Sequence, residues 1–228
     1  MATENYVFGA FITNLEKYTE GELVGEWVGF PTTYEHLEKV MNKIGKSFSN
    51  VELVTDYDSK IGGMFELIGE YVNLDELNYL ANKLKELSDT DLKNYEAALE
   101  YESFDNIQSL INLTDNLKNY PYYPEVTSEE DLGRYIIDKS RVIDVGEDII
   151  AYFDFEAYGR DVSINEGGMF TKNGYISGPN GTFTEYYDGK KENIPSEYRV
   201  TSEHEQSDKT QNIESEKSNR PPMLGISR

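Results

Sequence analysis

The sequence predicts an α+β fold with three parts: a small sheet with one covering helix, a helical middle, and a mixed α/β C-terminal part. Three observations lead to this prediction. Residues 6–30 contain two apolar, β-rich runs separated by a turn signal. Residues 73–114 carry apolar side chains at helical spacing behind residues that cap helices. Asn173-Gly174 is a dipeptide typical of a tight hairpin between short strands.

Three strands and one helix are predicted at the N-terminus. Tyr6–Thr13 and Val51–Thr55 are rich in β-formers, and Leu23–Phe30 alternates its side chains as a half-buried strand does. Thr32 and Glu35 have the spacing of a capping box at a helix start. The apolar stripe of this helix, which Gly45 ends, consists of Leu37, Val40, Met41 and Ile44. The helix is therefore expected to cover one face of a small sheet.

Three closely connected helices are predicted in the middle of the chain. Asn73 caps the first, with Glu76 three residues on, Ser88 opens the second, and Ser103 caps the third. The acidic residues on their outer faces are Asp75, Glu76, Glu86, Asp89, Asp91, Glu96, Glu100, Glu102 and Asp105. Solvated helices usually interleave positive and negative side chains, and these helices mostly do not.

Helices and short strands alternate in the C-terminal part. Ser128 opens a helix that runs through Leu132 and Tyr135, and a second helix is predicted over Asp148–Tyr158 with Gly159 as its stop. Short strands are predicted at Val162–Ile164, Met169–Phe170, Tyr175–Ile176 and Thr182–Tyr187. Residues 201–220 are polar and nearly free of apolar side chains, which is typical of a disordered segment.

These elements give the predicted domain boundaries. They are an N-terminal α+β domain over residues 1–65, an acidic helical domain over 66–114, a C-terminal α+β domain over 115–198, and a disordered polar tail over 199–228. The end of the tail, Pro221–Arg228, is either a passive terminus or a short docking peptide, and the sequence leaves both readings open.

The formal net charge of −22 belongs to the folded body rather than to an acidic tail. Residues 1–200 hold 38 of the 43 acidic residues and 17 of the 21 basic ones. A folded body this acidic repels itself over its whole surface. Either solubility, as in a salt-adapted host, or a strongly basic partner explains such a surface. Nucleic acid is excluded as a ligand because carboxylates repel phosphates.

The sequence shows no recognisable catalytic, metal-binding or cofactor-binding pattern. It has no cysteine, and its two histidines, His36 and His204, lie on a polar helix face and in the polar tail. Asp56-Tyr57-Asp58 begins like a calcium loop but lacks the glycine and glutamate that complete one. We therefore expect a non-enzyme without cofactor or metal. A carboxylate-pair hydrolase is a weaker alternative.

The N-terminus and the apolar runs of the chain indicate where the protein is located in the cell. The N-terminus lacks the basic and apolar regions of a signal peptide, and no apolar run approaches membrane-spanning length. The sequence therefore predicts a cytoplasmic protein without a membrane partner.

Three stretches resemble the ArdA antirestriction proteins of conjugative plasmids and transposons. The run Ala10–Tyr18, followed by Glu20–Trp27 and Phe30-Pro31, is similar to the opening of that family. Ala151–Asp161 is similar to a segment near its close, and Glu130–Asp138 lies where the family carries its antirestriction motif. The resemblance covers roughly residues 6–187, and the middle third matches by acidic helical character more than by letter.

The resemblance implies an elongated three-part protein that dimerises through its C-terminal part and mimics bent B-form DNA. Such a protein occupies the DNA-binding cleft of Type I restriction–modification enzymes and so protects an incoming mobile element. Two bodies of charge −21 carry as much charge as about 70 Å of duplex, given about one charge per 1.7 Å of helix axis. The carboxylates implied as phosphate mimics are Asp75, Glu76, Glu86, Asp89, Asp91, Glu96, Glu100, Glu102, Asp105, Asp115, Glu129 and Glu130.

The motif at Glu130–Asp138 includes apolar residues at helical spacing as well as charged ones. Leu132, Tyr135, Ile136 and Ile137 suit burial, either within the C-terminal part or at a contact between two subunits. Both readings stay open at this stage. The alternative to a restriction-enzyme target is an acidic adaptor or chaperone-like binder of another basic DNA-binding protein.

Overall fold

The computed structural model describes residues 6–140 and 146–202 of the 228-residue chain, and the structural statements below concern these residues. Their architecture is α+β, as predicted, with two small antiparallel sheets and a helical cluster between them. No helix in this part of the chain has both the length and the apolar character needed to cross a membrane.

A four-stranded antiparallel sheet forms the N-terminal part. Its strands are β1 (Phe8–Thr13), β2 (Gly25–Phe30), β3 (Glu52–Ser59) and β4 (Tyr71–Val72), in the spatial order β2-β1-β3-β4. The three predicted strands are present, and β4 is too short to leave a pattern in the sequence. Strand β3 extends past the predicted end at Thr55 because Asp56–Ser59 pair with Phe8–Phe11 of β1. Asp56 and Asp58 are exposed, and Tyr57 between them is half-buried.

Three helices accompany this sheet: α1 (Leu15–Thr19), α2 (Tyr34–Lys43) and α3 (Phe65–Ile68). The predicted helix is α2, and its apolar stripe is buried in the same core as the inner face of β1. Its N-cap is Thr33, whose hydroxyl oxygen accepts the His36 N–H at 3.3 Å. The predicted cap, Thr32, instead donates its backbone N–H to Asn78 Oδ1 at 2.7 Å, which ties the helix start to the helical middle.

The helical middle consists of α4 (Leu74–Glu86), α5 (Asp89–Tyr101) and α6 (Ile107–Asn116). Asn73 and Ser88 cap the first two helices as predicted. The third cap is Asn106 rather than Ser103, because Asn106 Oδ1 accepts the Ser109 N–H at 2.8 Å. The apolar faces of these helices and the inner face of the N-terminal sheet belong to one continuous core.

A three-stranded sheet and a helix pair form the C-terminal part. The strands β5 (Tyr122–Tyr123), β6 (Met169–Thr171) and β7 (Gly174–Ile176) lie in the order β5-β7-β6, and the predicted hairpin is the β6–β7 pair. The helices are α7 (Glu129–Tyr135), α8 (Glu147–Ile150) and α9 (Phe155–Asn165). A π-helical turn, Ile136–Ser140, continues α7.

Three predictions for residues 148–164 are wrong. The single helix predicted over Asp148–Tyr158 is divided into α8 and α9, which residues 151–154 separate. Gly159 does not stop a helix, and Val162–Ile164 is not a strand, because both lie within α9. A Cβ atom on Gly159 would lie 1.8 Å from the Glu129 carbonyl oxygen, and one on Gly133 would lie 2.0 Å from the Phe155 carbonyl oxygen. The two glycines therefore let α7 and α9 pack backbone to backbone, a role that a sequence pattern does not distinguish from a helix stop.

Residues 177–202, here called the C-terminal segment, return to the helical middle. The strand predicted at Thr182–Tyr187 is absent from it. Side-chain amides of α6 bond the backbone instead: Asn112 Oδ1 accepts the Tyr187 N–H at 2.8 Å, and Asn116 Oδ1 accepts the Thr184 N–H at 2.9 Å. These amides take the place of a neighbouring strand.

The C-terminal segment extends past the predicted domain end at residue 198. Val200 is 2% exposed and belongs to the main core. Residues 203–228, which make up most of the predicted polar tail, lie outside the described residues.

Candidate functional site

The acidic surface of the helical middle is the candidate site, and its exposed carboxylates lie at the two ends of α5. Glu86, Asp89 and Asp91 lie where α4 meets α5, and Glu100 and Asp105 lie at the far end. All five are exposed, and no lysine or arginine of the described residues pairs with them. Glu86 also accepts the hydroxyl of Tyr198 at 3.2 Å. A helix of this length separates the two groups by about 18 Å, at 1.5 Å per residue.

Local sequence explains why acids accumulate at the start of α5. The Ser88 hydroxyl accepts the Asp91 N–H at 3.1 Å and donates to the Asp91 carboxylate at 2.7 Å. Asp89 and Asp91 occupy the first turn, where the positive end of the helix dipole favours negative side chains. These charges therefore stabilise the helix that displays them.

Three candidate acids are already paired with cations at the surface. Asp115 is 2.7 Å from Lys83, Glu129 is 2.9 Å from Arg160, and Glu130 is 2.7 Å from Arg134. Exposed pairs of this kind contribute at most about 1 kcal/mol, so a basic partner can replace the internal cation at little cost. These three acids therefore contribute less negative charge to the surface than the five acids at the ends of α5, which have no lysine or arginine partner among the described residues.

Asp75 does not lie at the surface. Its side chain is 0% exposed, and its carboxylate lies 2.8 Å from Lys191 Nζ. It also accepts the Val200 N–H at 2.6 Å and the Thr201 N–H at 2.9 Å. Burial on its own raises the pKa of Asp75, but these bonds outweigh burial and hold the pKa below its ordinary value. Asp75 is therefore part of the internal structure and not of the acidic surface.

Glu76 is half-buried beside Asp75 on the first turn of α4. Its carboxylate accepts the hydroxyl of Tyr187 at 2.9 Å. Burial, together with the neighbouring charge of Asp75, raises the pKa of Glu76. Because Glu76 is half-buried and bonded to Tyr187, it holds the C-terminal segment in place and contributes little to the acidic surface.

Glu96 and Glu102 also serve contacts within the chain. Glu96, whose side chain is 14% exposed, accepts the Gly62 N–H at 3.3 Å and lies 3.5 Å from Lys172 Nζ. It therefore joins a loop of the N-terminal part to the β6–β7 hairpin. Glu102 accepts the hydroxyl of Tyr120. Sequence spacing placed both acids on outer faces and carried no information about these distant partners.

The N-terminal part adds exposed acids that the sequence analysis did not include. Asp56, Asp58, Glu66 and Glu70 are exposed on β3 and the residues that follow it. No lysine or arginine of the described chain pairs with them. The alternation of aspartates about Tyr57 is the sequence signal for a strand with an acidic outer face.

The apolar motif residues divide into two kinds. Leu132 is 1% exposed and Ile137 is 7% exposed, so both are buried within the chain. Tyr135 and Ile136 are half-buried, and the ring of Tyr135 packs edge-on against Tyr123 with ring centroids 4.9 Å apart. Leu132 and Ile137 are therefore internal packing residues, whereas part of Tyr135 and Ile136 reaches the surface.

The described residues offer no group of three or more His, Asp or Glu side chains arranged to hold a metal ion. His36 is exposed on α2, and His204 lies outside the described residues. The candidate site therefore acts through electrostatics: its carboxylates, most of them at helix ends, are fixed in place and attract cations.

Comparison with known families gives a match over most of the chain. The model of a family described as antirestriction protein (ArdA) matches residues 10–177, which run from β1 to the end of the β6–β7 hairpin. The match includes all of the helical middle and the whole of the apolar motif. Among curated proteins, none matches the chain.

Proposed function

The chain belongs to the ArdA family of antirestriction proteins, and from that premise we propose that it inhibits Type I restriction–modification enzymes by occupying their DNA-binding cleft as a mimic of DNA. The observation that carries this proposal is the group of exposed carboxylates at both ends of α5, none of which pairs with a lysine or arginine of the described residues, on a chain with a net charge of −22.

The proposed mechanism is competition by counterion release. A basic cleft that binds DNA gains free energy because condensed cations leave the phosphates. Carboxylates fixed on a folded protein offer the same exchange without any base pairs. Since phosphate contacts position a protein on DNA but carry no sequence information, inhibition is expected to be broad across enzymes with different recognition sequences.

We further propose that two copies form the active unit. Tyr135 and Ile136 are half-buried in one chain, and contact with the same patch of a second chain would cover the remainder. A two-fold arrangement would align two acidic bodies into one longer mimic. The combined charge then corresponds to about 70 Å of duplex.

The test is inhibition of a purified Type I enzyme on unmodified DNA, with cleavage and methylation measured separately. The protein is expected to block both activities in proportion to its concentration and to displace labelled DNA from the enzyme. If both activities and DNA binding stay unchanged while the protein binds a basic nucleoid protein or repressor, the adaptor alternative replaces the proposal.

A block substitution tests whether the surface of α5 is the determinant. The variant carries Glu86→Gln, Asp89→Asn, Asp91→Asn, Glu100→Gln and Asp105→Asn. Its matched control neutralises five exposed acids outside the candidate surface: Glu16, Glu125, Asp161, Glu185 and Glu192. The first variant is expected to need a concentration at least about tenfold higher for half-inhibition, and the control much less. Equal losses would show that net charge, and not this surface, determines inhibition.

A further inference from the structure

The outer face of the N-terminal sheet carries an aromatic groove that the proposed function does not use. The inner face of the sheet belongs to the core, whereas Trp27 on the outer face is 46% exposed and Tyr6 is 39% exposed. The register places Gly9 of β1 opposite Gly29 and Asp58, and it places Phe11 opposite Trp27. The outer face therefore combines small, aromatic and acidic residues side by side.

Glycines form the floor of this face, and aromatic rings lie directly against them. A Cβ atom on Gly9 would lie 3.4 Å from Trp27 Cε3, and one on Gly29 would lie 2.7 Å from Tyr6 Cδ1. Glycine inside a strand weakens the strand, and it often marks a site where another group approaches the backbone closely. Both rings lie against the glycine backbone and still keep a large exposed fraction, 46% for Trp27 and 39% for Tyr6.

The groove has the chemistry of a binding site for a side chain, and it is large enough to hold neighbouring residues of the same segment as well. Its volume is about 810 Å³, and the side chains around it include Tyr6, Trp27, Pro31, His36 and Asp58. The residues that the structure describes around it include no lysine or arginine.

The charges at the groove favour a cation. Asp58 is exposed, and the described residues include no cation paired with it. Glu26 at the rim is paired with Lys43 at 2.6 Å, so that lysine is matched by its own carboxylate. An anion would be repelled, and a purely apolar side chain would leave the Asp58 carboxylate without a partner.

We propose that this groove binds an arginine side chain on an extended basic segment of a partner protein. The planar guanidinium group stacks on the face of Trp27 and donates charge-assisted hydrogen bonds to the Asp58 carboxylate. Lysine suits the site less because its ammonium group is a compact, strongly hydrated point charge. β2 is an edge strand of the described sheet, so an extended segment has backbone groups to pair with beside the groove.

Trp27 and Asp58 lie close enough for one guanidinium group to contact both. The Cβ position of Gly9 lies 3.4 Å from the Trp27 ring and 3.7 Å from Asp58 Cβ, so both side chains lie against the same glycine. A guanidinium stacked on the solvent-accessible side of the Trp27 ring is therefore next to the Asp58 side chain. This inference concerns a surface separate from the ends of α5, and it stands whether or not a restriction enzyme is the target.

Tryptophan fluorescence of the full chain gives a direct test, because Trp27 is its one tryptophan. The probes are an acetylated peptide of four Gly-Arg repeats and the same peptide with citrulline, which keeps the shape of arginine without its charge. The salt concentration is 150 mM, which screens diffuse attraction to the acidic surface. The arginine peptide is expected to change the fluorescence of Trp27 saturably, a lysine peptide less, and the citrulline peptide not at all.

Matched variants separate the groove from net charge. Asp58→Asn is expected to weaken binding of the arginine peptide about tenfold, as the loss of a charge-assisted hydrogen bond does. Asp161→Asn, which removes one exposed charge on α9, is expected to leave binding unchanged. Trp27→Leu, measured by calorimetry, is expected to lose binding, with circular dichroism checking the fold. Equal binding by Asp58→Asn and Asp161→Asn, or by the citrulline peptide, would overturn the proposal even if Trp27→Leu fails to fold.

Discussion

Asp75 illustrates, at the scale of a single residue, how a strongly acidic protein uses one of its charges internally. Its carboxylate accepts two backbone N–H groups and pairs with Lys191, all within the C-terminal segment. The bonded residues lie 116 to 126 positions further along the chain. Nothing in the helix pattern around Asp75 indicates them, and the pattern alone therefore predicts a position at the surface.

We expect Asp75→Asn to lower the free energy of unfolding by about 2 kcal/mol, measured with denaturant. The substitution removes the ion pair and one acceptor for buried N–H groups. The loss stays moderate because the Lys191 side chain is 41% exposed and can return to water. The control is Glu130→Gln, whose pair with Arg134 is exposed on both sides and predicts a loss below about 1 kcal/mol. Similar losses in both variants would contradict the internal role of Asp75.

The same residue gives a prediction for pH. The pKa of Asp75 in the folded chain lies below its ordinary value of 3.8, so the contribution of its charge to stability is present above that value. It is lost as the pH falls through the lowered pKa. The difference in unfolding free energy between the wild type and Asp75→Asn is therefore expected to be constant near neutral pH and to shrink in acid. A difference that grows in acid would show that the pKa is raised.

At the scale of elements, the crossing of α7 and α9 determines the shape of the C-terminal part. Gly133 and Gly159 let the two backbones touch, and a side chain on either glycine would overlap a carbonyl oxygen of the facing helix. Two ion pairs, Arg160 with Glu129 and Arg160 with Glu156, lie at the same crossing. Close backbone packing thus adjoins the motif that the family comparison includes.

The effect of Gly159→Ala on stability distinguishes a glycine in an open helix from a glycine at a close helix crossing, because the two cases predict changes of opposite sign. In an open helix, alanine stabilises by up to about 1 kcal/mol relative to glycine. At this crossing, the new methyl group forces the helices apart, and overpacking costs about 1–3 kcal/mol. We expect a lower melting temperature for Gly159→Ala and little change for Gly146→Ala, whose Cβ position has no neighbour within 4 Å. A more stable Gly159→Ala would contradict the close crossing.

Elements with their own signals were predictable from sequence, and elements defined by a distant partner were not. Strand alternation and N-caps such as Asn73, Ser88 and Ser128 located β1, β2, α4, α5 and α7. The segment Thr182–Tyr187 has a β-like composition, yet amides of α6 occupy the place of a strand partner. The acidic outer faces were visible in the pattern, whereas the contacts that use Asp75 and Glu96 depend on tertiary packing.

At the scale of the whole molecule, the net charge of −22 makes binding to a basic partner sensitive to salt concentration. If carboxylates replace phosphates in the cleft of a restriction enzyme, affinity depends on released counterions. We expect affinity for the enzyme to fall roughly tenfold or more between 50 and 200 mM salt, measured by displacement of labelled DNA. The unfolding free energy of the protein, measured in parallel, should not fall, because salt screens its self-repulsion. A flat affinity would remove the electrostatic basis of the mechanism.

The last prediction concerns the proposed two-copy unit and the half-buried residues Tyr135 and Ile136. Substituting glutamate at both positions places two charges where a second chain would make contact, and burying unpaired charges is costly. We expect a folded monomer by sedimentation velocity and circular dichroism. Its half-inhibitory concentration should rise, yet some inhibition should survive, because each chain keeps its own acids at the ends of α5.

Two controls accompany this variant. Leu23→Glu with Val51→Glu adds the same charge at positions that are 67% and 50% exposed on the N-terminal part, and it should leave the dimer intact. Leu132→Glu places a charge in the C-terminal core and should unfold that part. If the Tyr135 and Ile136 variant stays dimeric, the subunit contact lies elsewhere. If it unfolds as Leu132→Glu does, Tyr135 and Ile136 are needed for packing within one chain. A two-copy unit would then have to form through another surface.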